Sequence, residues 1–212
     1  IDFTTGLVIV PAGTPGDIYT ITYQICEKLN PTNCDTAIVK VAVFATKIDA
    51  VNDTIAPVNE LSGNTNAGNV LGNDTLNGNP VVLAQVNLAV TTAATPINGG
   101  SIPTIDANGN VVIPAGTPAG NYTITYKICE KLNPNNCDSA VVTIPVTASV
   151  IDAKHDIMLP VNGYIGTSNA GNIFANNGGG IDTLNDNQVL LSQVNLTIIT
   201  PATSINNQPI PY

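Results

Sequence analysis

Four cysteines carry the most reactive side chains in the sequence, and they occur as two pairs of equal spacing. Cys26 and Cys34 flank EKLNPTN, whereas Cys129 and Cys137 flank EKLNPNN. Two thiols at the ends of so short a turn can oxidise to a local disulfide, as is common in small secreted domains. We therefore expect one bridge within each pair, which would place the chain outside the cytoplasm.

Metal binding and catalysis are the other uses of such residues, and the sequence offers little for either. Neither cysteine pair has the short spacing of a zinc knuckle, and the single histidine, His155, is distant in sequence. No base or nucleophile accompanies His155, so we interpret it as a surface residue at a junction between repeats. The run at 178–180 lacks the Lys-Ser/Thr ending of a phosphate loop and is typical of a lengthened turn. We expect no catalytic residue.

The charge of the chain argues against nucleic acid as a partner. Six lysines, no arginine and fifteen acids give a net charge of -9, whereas a phosphate-binding surface needs clustered cations. Apolar stretches are interrupted within a few residues, for instance by Gln85 and Asn87 within 81–90. We therefore expect neither a signal peptide nor insertion in a membrane. This composition favours a structural or binding protein over an enzyme.

An internal repeat organises the sequence. Residues 11–39 recur almost unchanged at 114–142, 103 positions later, and after an insertion around 178–180 the offset becomes 108. The offsets predict the second half of a repeat at 1–47, a complete repeat at 48–150 and the first half of a repeat at 151–212.

The two ends of the chain match the same point of the repeat. The ending PIPY followed by the beginning ID resembles the internal SIPT-ID at 101–106, with one residue extra downstream. Two interpretations follow: a segment of a longer tandem array, or a subunit whose half-repeats are completed by neighbouring copies in a head-to-tail fibre. Either way, we expect the half ending at Tyr212 to pack against the half beginning at Ile1 of the next copy.

Alternation with period two indicates strands throughout a repeat. One face of the segment at 122–128 consists of Tyr122, Ile124, Tyr126 and Ile128, and its earlier counterpart consists of Tyr19, Ile21, Tyr23 and Ile25. Partner strands are predicted at 37–43 and 140–146, and further strands near 6–10, 68–71, 81–90 and 109–113. Pro145 predicts an edge or a bulge. About seven short strands in 103–109 residues, joined by turns rich in Gly, Asn and Pro, predict an all-β chain of tandem immunoglobulin-like antiparallel sandwiches.

Several stretches of sequence carry a resemblance to a known family. AVNDT at 50–54, NVLGNDTLNG at 69–78 and the strand pair ending in YTITYKICE and SAVVTIPVT are similar to bacterial Ig-like or cadherin-like tandem repeats. The version YTITYxICExxNPxNCDxA resembles repeats of very large secreted surface adhesins of Bacteroidetes, including gliding-type adhesins. The resemblance covers the whole chain. It implies export to the cell surface and a stalk or filament role without catalysis.

The same resemblance implies a modification. Secreted proteins of that phylum are O-glycosylated at Asp-(Ser/Thr)-small-or-aliphatic tripeptides, of which this sequence has five. The acceptor hydroxyls would be those of Thr36, Thr54, Thr75, Ser139 and Thr183. The alternative is ordinary turn chemistry, in which the aspartate caps the backbone.

Calcium is the one cofactor that the sequence leaves open. Asp49 and Asp53 recur as Asp152 and Asp156 at expected junctions, where cadherin-type linkers bind Ca²⁺ through several carboxylates and carbonyls. Only two carboxylates per junction are close in sequence, and no second acidic cluster accompanies them. A weak site at these four residues is therefore a hypothesis that stands beside a purely structural role.

Three functions remain open from the sequence. The first is a structural segment of the stalk or filament of an extracellular adhesin, whose partners are neighbouring repeats or copies of itself. The second is a glycan- or ice-binding repeat, for which a flat outward grid of threonines would be needed. The third is a non-catalytic accessory domain of a secreted enzyme.

Overall fold

A computed structural model describes the chain from Ile1 to Tyr212 and divides it into two compact units, Ile1–Ala148 and Ser149–Tyr212. The chain is all-β, and its helical structure is a single 3₁₀ turn at Leu191–Gln193. None of its helical structure has the length and apolarity that crossing a membrane requires. The strands are β1 (Asp17–Cys26), β2 (Cys34–Val43), β3 (Ile48–Asp49), β4 (Asp53–Thr54), β5 (Val58–Asn59), β6 (Thr75–Leu76), β7 (Asn79–Pro80), β8 (Val86–Thr92), β9 (Thr104–Ile105), β10 (Val111–Val112), β11 (Gly120–Glu130), β12 (Cys137–Thr147), β13 (Ile151–Asp152), β14 (Thr183–Leu184) and β15 (Asn187–Gln188).

The largest sheet belongs to the complete repeat and has the order β4-β12-β11-β8, with β5 also on β12. β11 and β12 form a long antiparallel hairpin, and β8 pairs antiparallel with β11. β4 and β5 run parallel to β12, so the beginning of the repeat lies beside its end. The interruption between these two short strands lies beside Pro145, which has no amide hydrogen to donate to a ladder.

A second layer closes the sandwich over one face of the hairpin. It consists of the antiparallel sheet β3-β6-β7, the pair β9-β10, and single bridges from Asn64 to Ile113 and from Asn69 to Asn110. The prediction of a strand at 68–71 is wrong, because this segment makes only the single bridge from Asn69 to Asn110. The Asn69 side chain accepts a hydrogen bond from the Leu71 amide at 2.9 Å, a local turn that competes with ladder pairing.

The core lies between these two layers. Alternating aromatic and β-branched residues suit a pleated strand with one covered face. The buried apolar residues of this core are Ile48, Ile55, Val70, Leu71, Val86, Ala94, Val111, Ile113, Tyr122, Ile124, Tyr126, Ile128, Ala140, Val142, Ile144 and Val146. The inward face predicted for 122–128 is therefore confirmed in the complete repeat.

The first 47 residues form one hairpin, β1-β2, in the register of β11-β12. The strand predicted near 6–10 does not form, because its counterpart in the complete repeat pairs with Thr104–Ile105 and bridges Asn64. A short strand without a partner is unstable. In the second unit, β13-β14-β15 repeats the pairing of β3-β6-β7.

Candidate functional site

Disulfides close the tips of both long hairpins. The strand registers place Cys26 opposite Cys34 and Cys129 opposite Cys137. Each pair forms a disulfide, and no free cysteine remains in the chain from Ile1 to Tyr212. Each bridge therefore holds a short loop at the end of its hairpin.

The second of these loops, at 131–136, contacts the preceding half-repeat. The Asn133 side-chain oxygen accepts a hydrogen bond from the Gly16 amide at 2.5 Å, and the Asn136 amide donates to the carbonyl of Thr46 at 2.6 Å. A Cβ atom at Gly16 would lie 2.5 Å from the backbone nitrogen of Ala45, so this position requires glycine. Hydrogen bonds thus fix the joint between the first hairpin and the complete repeat.

A buried carboxylate organises that loop. The side chain of Glu130 is 3% exposed and accepts hydrogen bonds from the amides of Asn133 at 2.7 Å and Asn136 at 3.0 Å. Burial raises the pKa of Glu130, but these amides outweigh it and hold the pKa below its usual value. The charged glutamate therefore orients both asparagines toward the preceding hairpin.

A second polar cluster lies inside the core around Tyr126. Its hydroxyl oxygen lies 3.0 Å from a carboxylate oxygen of Asp53, 3.1 Å from one of Asp74 and 2.9 Å from the carbonyl of Val70. The carboxylate of Asp74 also accepts a hydrogen bond from the backbone amide of Val51 at 2.8 Å. Tyr126 thus ties three segments of the first half of the repeat to the hairpin of the second half.

The protons of this cluster are shared. A tyrosine hydroxyl has a single proton, so it cannot donate to both carboxylates and the carbonyl at once. Burial, assisted by the nearby charge of Asp74, raises the pKa of Asp53 to about 6 despite the opposing hydrogen bond from Tyr126. Burial also raises the pKa of Asp74, and burial together with both carboxylates raises the pKa of Tyr126. A protonated Asp53 can donate to the tyrosine oxygen and leave the tyrosine proton for another acceptor.

In neither unit do the aspartates proposed for calcium come together as a set of metal ligands. Asp49 forms an ion pair with Lys47 at 3.0 Å, and Asp53 faces Tyr126 instead. In the second unit, the partner of Asp152 is Lys154 at 2.6 Å, and Asp156 accepts a hydrogen bond from Asn177 at 3.0 Å. Across the chain, no three His, Cys, Asp or Glu side chains surround a common point in a way that could hold a metal ion.

The five hydroxyls proposed for glycosylation differ in accessibility. Three are exposed and two are half-buried: Thr36, Thr54 and Ser139 belong to the first group, and Thr75 and Thr183 to the second. In both long hairpins the aspartate preceding the hydroxyl accepts a hydrogen bond from the backbone amide of the acceptor residue at 2.8 Å. Turn-like capping and an accessible hydroxyl therefore coexist at Thr36 and Ser139.

His155 and the insertion at 178–180 have structural roles. His155 is exposed, and its carbonyl oxygen lies so near Gly179 that a Cβ atom at that position would clash with it. Gly178 and Gly180 have φ angles of 105° and 114°, a region that favours glycine. The insertion at 178–180 is thus a tight turn that packs against the backbone of His155 and the side chain of Lys154.

The Tyr126 cluster is the feature that sequence reasoning missed. The alternation predicts a buried Tyr126, whereas Asp53 and Asp74 stand in the sequence as parts of other motifs. Their recurrence as Asp156 and Asp182, and that of the tyrosine as Tyr23, was the signal available. A buried hydroxyl needs a partner, and recurrent carboxylates within the same repeat could supply one.

Comparison with known proteins gives similarity to cadherin ectodomains. No family model and no curated protein matches the sequence. The human desmocollin-1 ectodomain is 10% identical with a TM-score of 0.36, over 57% of this chain and 24% of that one. The protocadherin gammaB7 EC3-6 cis-dimer structure is 14% identical with a TM-score of 0.32, over 69% and 37%. This chain thus spans well under half of either.

Proposed function

We propose that this chain is a structural repeat segment in the stalk or filament of a bacterial cell-surface adhesin, and that it has no catalytic role. The observation that carries the proposal is the path of the chain through the complete repeat. The amide of Ala50 hydrogen-bonds to Asp138 at the start of β12, whereas the repeat ends with Thr147 at the other end of that strand. The nine residue steps from Asp138 to Thr147 correspond to roughly 30 Å.

Entry and exit at opposite ends make repeats in series extend as a rod. The joint to the preceding hairpin is fixed by Asn133 and Asn136, which favours a stiff connection. Disulfides suit an oxidising environment outside the cell. Neighbouring repeats, or copies of this chain arranged head to tail, are the partners that this architecture requires.

The glycan- and ice-binding alternative finds little support in the same geometry. Tyr122 and Tyr126, which could stack on a sugar, are buried. On the outward face of the β11-β12 hairpin, Thr123 pairs with Thr143, but their neighbours include Val141 and Pro145. The threonines therefore form no regular grid.

Electron microscopy of the native full-length protein, with gold-labelled antibodies on intact cells, tests the proposal. We expect label at the cell surface and thin rods with a period of roughly 35–40 Å per repeat, the length of an eleven-residue strand and its turn. Compact particles, or label confined to the cell interior, would contradict the function.

Two further proposals concern modification and calcium. Intact-mass and peptide mass spectrometry of the native protein tests glycans at Thr36, Thr54, Thr75, Ser139 and Thr183; unmodified peptides would exclude them. Calorimetric titration with Ca²⁺ tests weak binding at Asp49, Asp53, Asp152 and Asp156, with the four alanine variants as controls. Heat that persists in those variants would exclude the aspartates as ligands.

A further inference from the structure

The first hairpin exposes the face that the complete repeat buries. Tyr23 and Ile25 are 41% and 67% exposed, whereas their counterparts Tyr126 and Ile128 are each 0% exposed. Tyr19, Ile21, Tyr23 and Ile25 occupy alternate positions of β1, and all but the half-buried Ile21 are exposed, so this face is a continuous apolar strip rather than scattered side chains. Strips of this kind mark interaction surfaces.

The second unit contains the counterpart of the surface that covers this face in the complete repeat. A groove of about 380 Å³ is lined there by residues that include Ile173, Phe174 and Val194, with Asp156 and Asp182 among them. The repeat offsets make these five residues the counterparts of Val70, Leu71, Val86, Asp53 and Asp74. All three apolar counterparts belong to the core of the complete repeat.

The correspondence extends to the polar groups. In the complete repeat, Asp53 and Asp74 surround the hydroxyl of Tyr126. In the second unit, their counterparts Asp156 and Asp182 line the groove, and the counterpart tyrosine is Tyr23 of the first hairpin. The groove therefore combines apolar walls with the two carboxylates whose counterparts contact a tyrosine hydroxyl in the complete repeat.

The chain path determines which tyrosine can reach this groove. The first hairpin joins the complete repeat at Ile48, near the start of β12, whereas Ser149 follows the other end of that strand. These two points are separated by roughly 30 Å, and two residues precede β13 after Ala148. This geometry favours a hairpin from another copy over one from the same chain.

We propose that copies of this chain associate head to tail, with the Tyr23 face of β1 seated in the groove of the second unit of another copy. Residues 194–200 would then pair with β1 as Val86–Thr92 pairs with β11. Residues 156–157 would lie beside β2, as β4 lies beside β12. This interface deepens the filament function proposed above, rests on it, and names a second copy as the partner.

Size-exclusion chromatography with light scattering on the 212-residue chain tests the interface. We expect oligomers whose mass rises with concentration. Y23D and I173D each remove one side of the interface and each should give monomers, because a charge is buried against an apolar surface. T20D, which places the same charge on the opposite face of β1, should assemble as the unmodified chain does.

An equimolar mixture of Y23D and I173D distinguishes this interface from non-specific aggregation. The first variant keeps an intact groove and the second keeps an intact Tyr23 face, so the mixture has one functional interface and should stop at dimers. This result does not depend on whether either altered surface still folds. Y23F introduced into the I173D chain should weaken the dimer that this chain forms with Y23D by roughly 10- to 100-fold, because the two carboxylates of the Y23D groove lose the tyrosine donor.

Monomers of the unmodified chain at all concentrations, or a mixture that stays monomeric or grows beyond dimers, would overturn the interface. Surface labelling and rod length of the native protein are measured independently of this assay. A failed interface would therefore leave the filament function standing, whereas native protein inside the cell would remove that function while the dimer persisted.

Discussion

The hairpins β1-β2 and β11-β12 have nearly the same sequence and register but different surroundings. Both carry a disulfide at the tip, and in both the first tyrosine of the alternating apolar face donates a hydrogen bond to the carbonyl four residues earlier, at 3.0 Å for Tyr19 and 2.7 Å for Tyr122. Yet Tyr23 is exposed and Tyr126 is buried. The hairpin sequence therefore determines the local structure, while the first half of a repeat determines the burial.

Replacing the central tyrosine of each hairpin gives the largest expected difference. Y126A removes a buried ring and the donor shared by Asp53 and Asp74, and should lower the free energy of unfolding of the complete repeat by about 3–5 kcal/mol. Y23A should lower it by less than about 1 kcal/mol when the chain is dilute and monomeric. Urea unfolding monitored by circular dichroism measures both, and equal losses would contradict the comparison.

Removing the disulfides should give a smaller difference in stability between the two hairpins. Replacement of Cys129 and Cys137 by serine should lower the unfolding free energy of the complete repeat by about 2.5 kcal/mol, the chain-entropy value for a loop of about nine residues. The same change at Cys26 and Cys34 should leave that value unchanged and increase amide exchange within β1 and β2. Hydrogen exchange with mass spectrometry separates the two effects. Loss of the complete repeat in the second variant would show that its stability depends on the first hairpin.

The sequence predicted what each hairpin does locally. Alternation at 122–128 gave the inward face, and equal spacing gave the cysteine pairs, because both properties depend on near neighbours. The prediction of a strand near 6–10 is wrong for the same reason. That segment has strand-like residues, but a strand needs a partner, and in the complete repeat the partners come from Asn64 and Thr104–Ile105.

The Tyr126 cluster could not be predicted in the same way. Its members come from positions 53, 74 and 126, and the parallel pairing of β4 with β12, the neighbour of β11, brings Asp53 close to Tyr126. An antiparallel sandwich expected from alternation does not specify which strand runs parallel beside the final one. Polar convergence within a core thus depends on topology that local patterns leave undetermined.

The same cluster predicts that the stability of the complete repeat depends on pH. The first hairpin has no such dependence, because no carboxylates surround Tyr23. The pKa of Asp53 is about 6 in the folded chain and about 4 when unfolded. The folded state therefore holds a proton that the unfolded state releases, so this contribution is fully present below about pH 4 and is lost as pH rises through 6. Urea midpoints at pH 4.5 and 7.5 should show greater stability at the lower pH. D53N should reduce the difference by about 1 kcal/mol after allowance for partial exposure; an unchanged difference would assign it to other groups.

The smallest expected effect concerns the loops beyond the bridges. Asn136 donates to both Thr46 and Glu130, whereas its counterpart Asn33 donates to Glu27 at 3.1 Å on an exposed loop. N136A removes a bond to the preceding half-repeat and should cost less than about 1 kcal/mol globally. It should nevertheless increase deuterium uptake and protease cleavage at 44–47, because the carbonyl of Thr46 loses its partner. N33A, the matched change, should leave 44–47 protected. Equal protection in both variants would mean that Asn133 alone holds the joint.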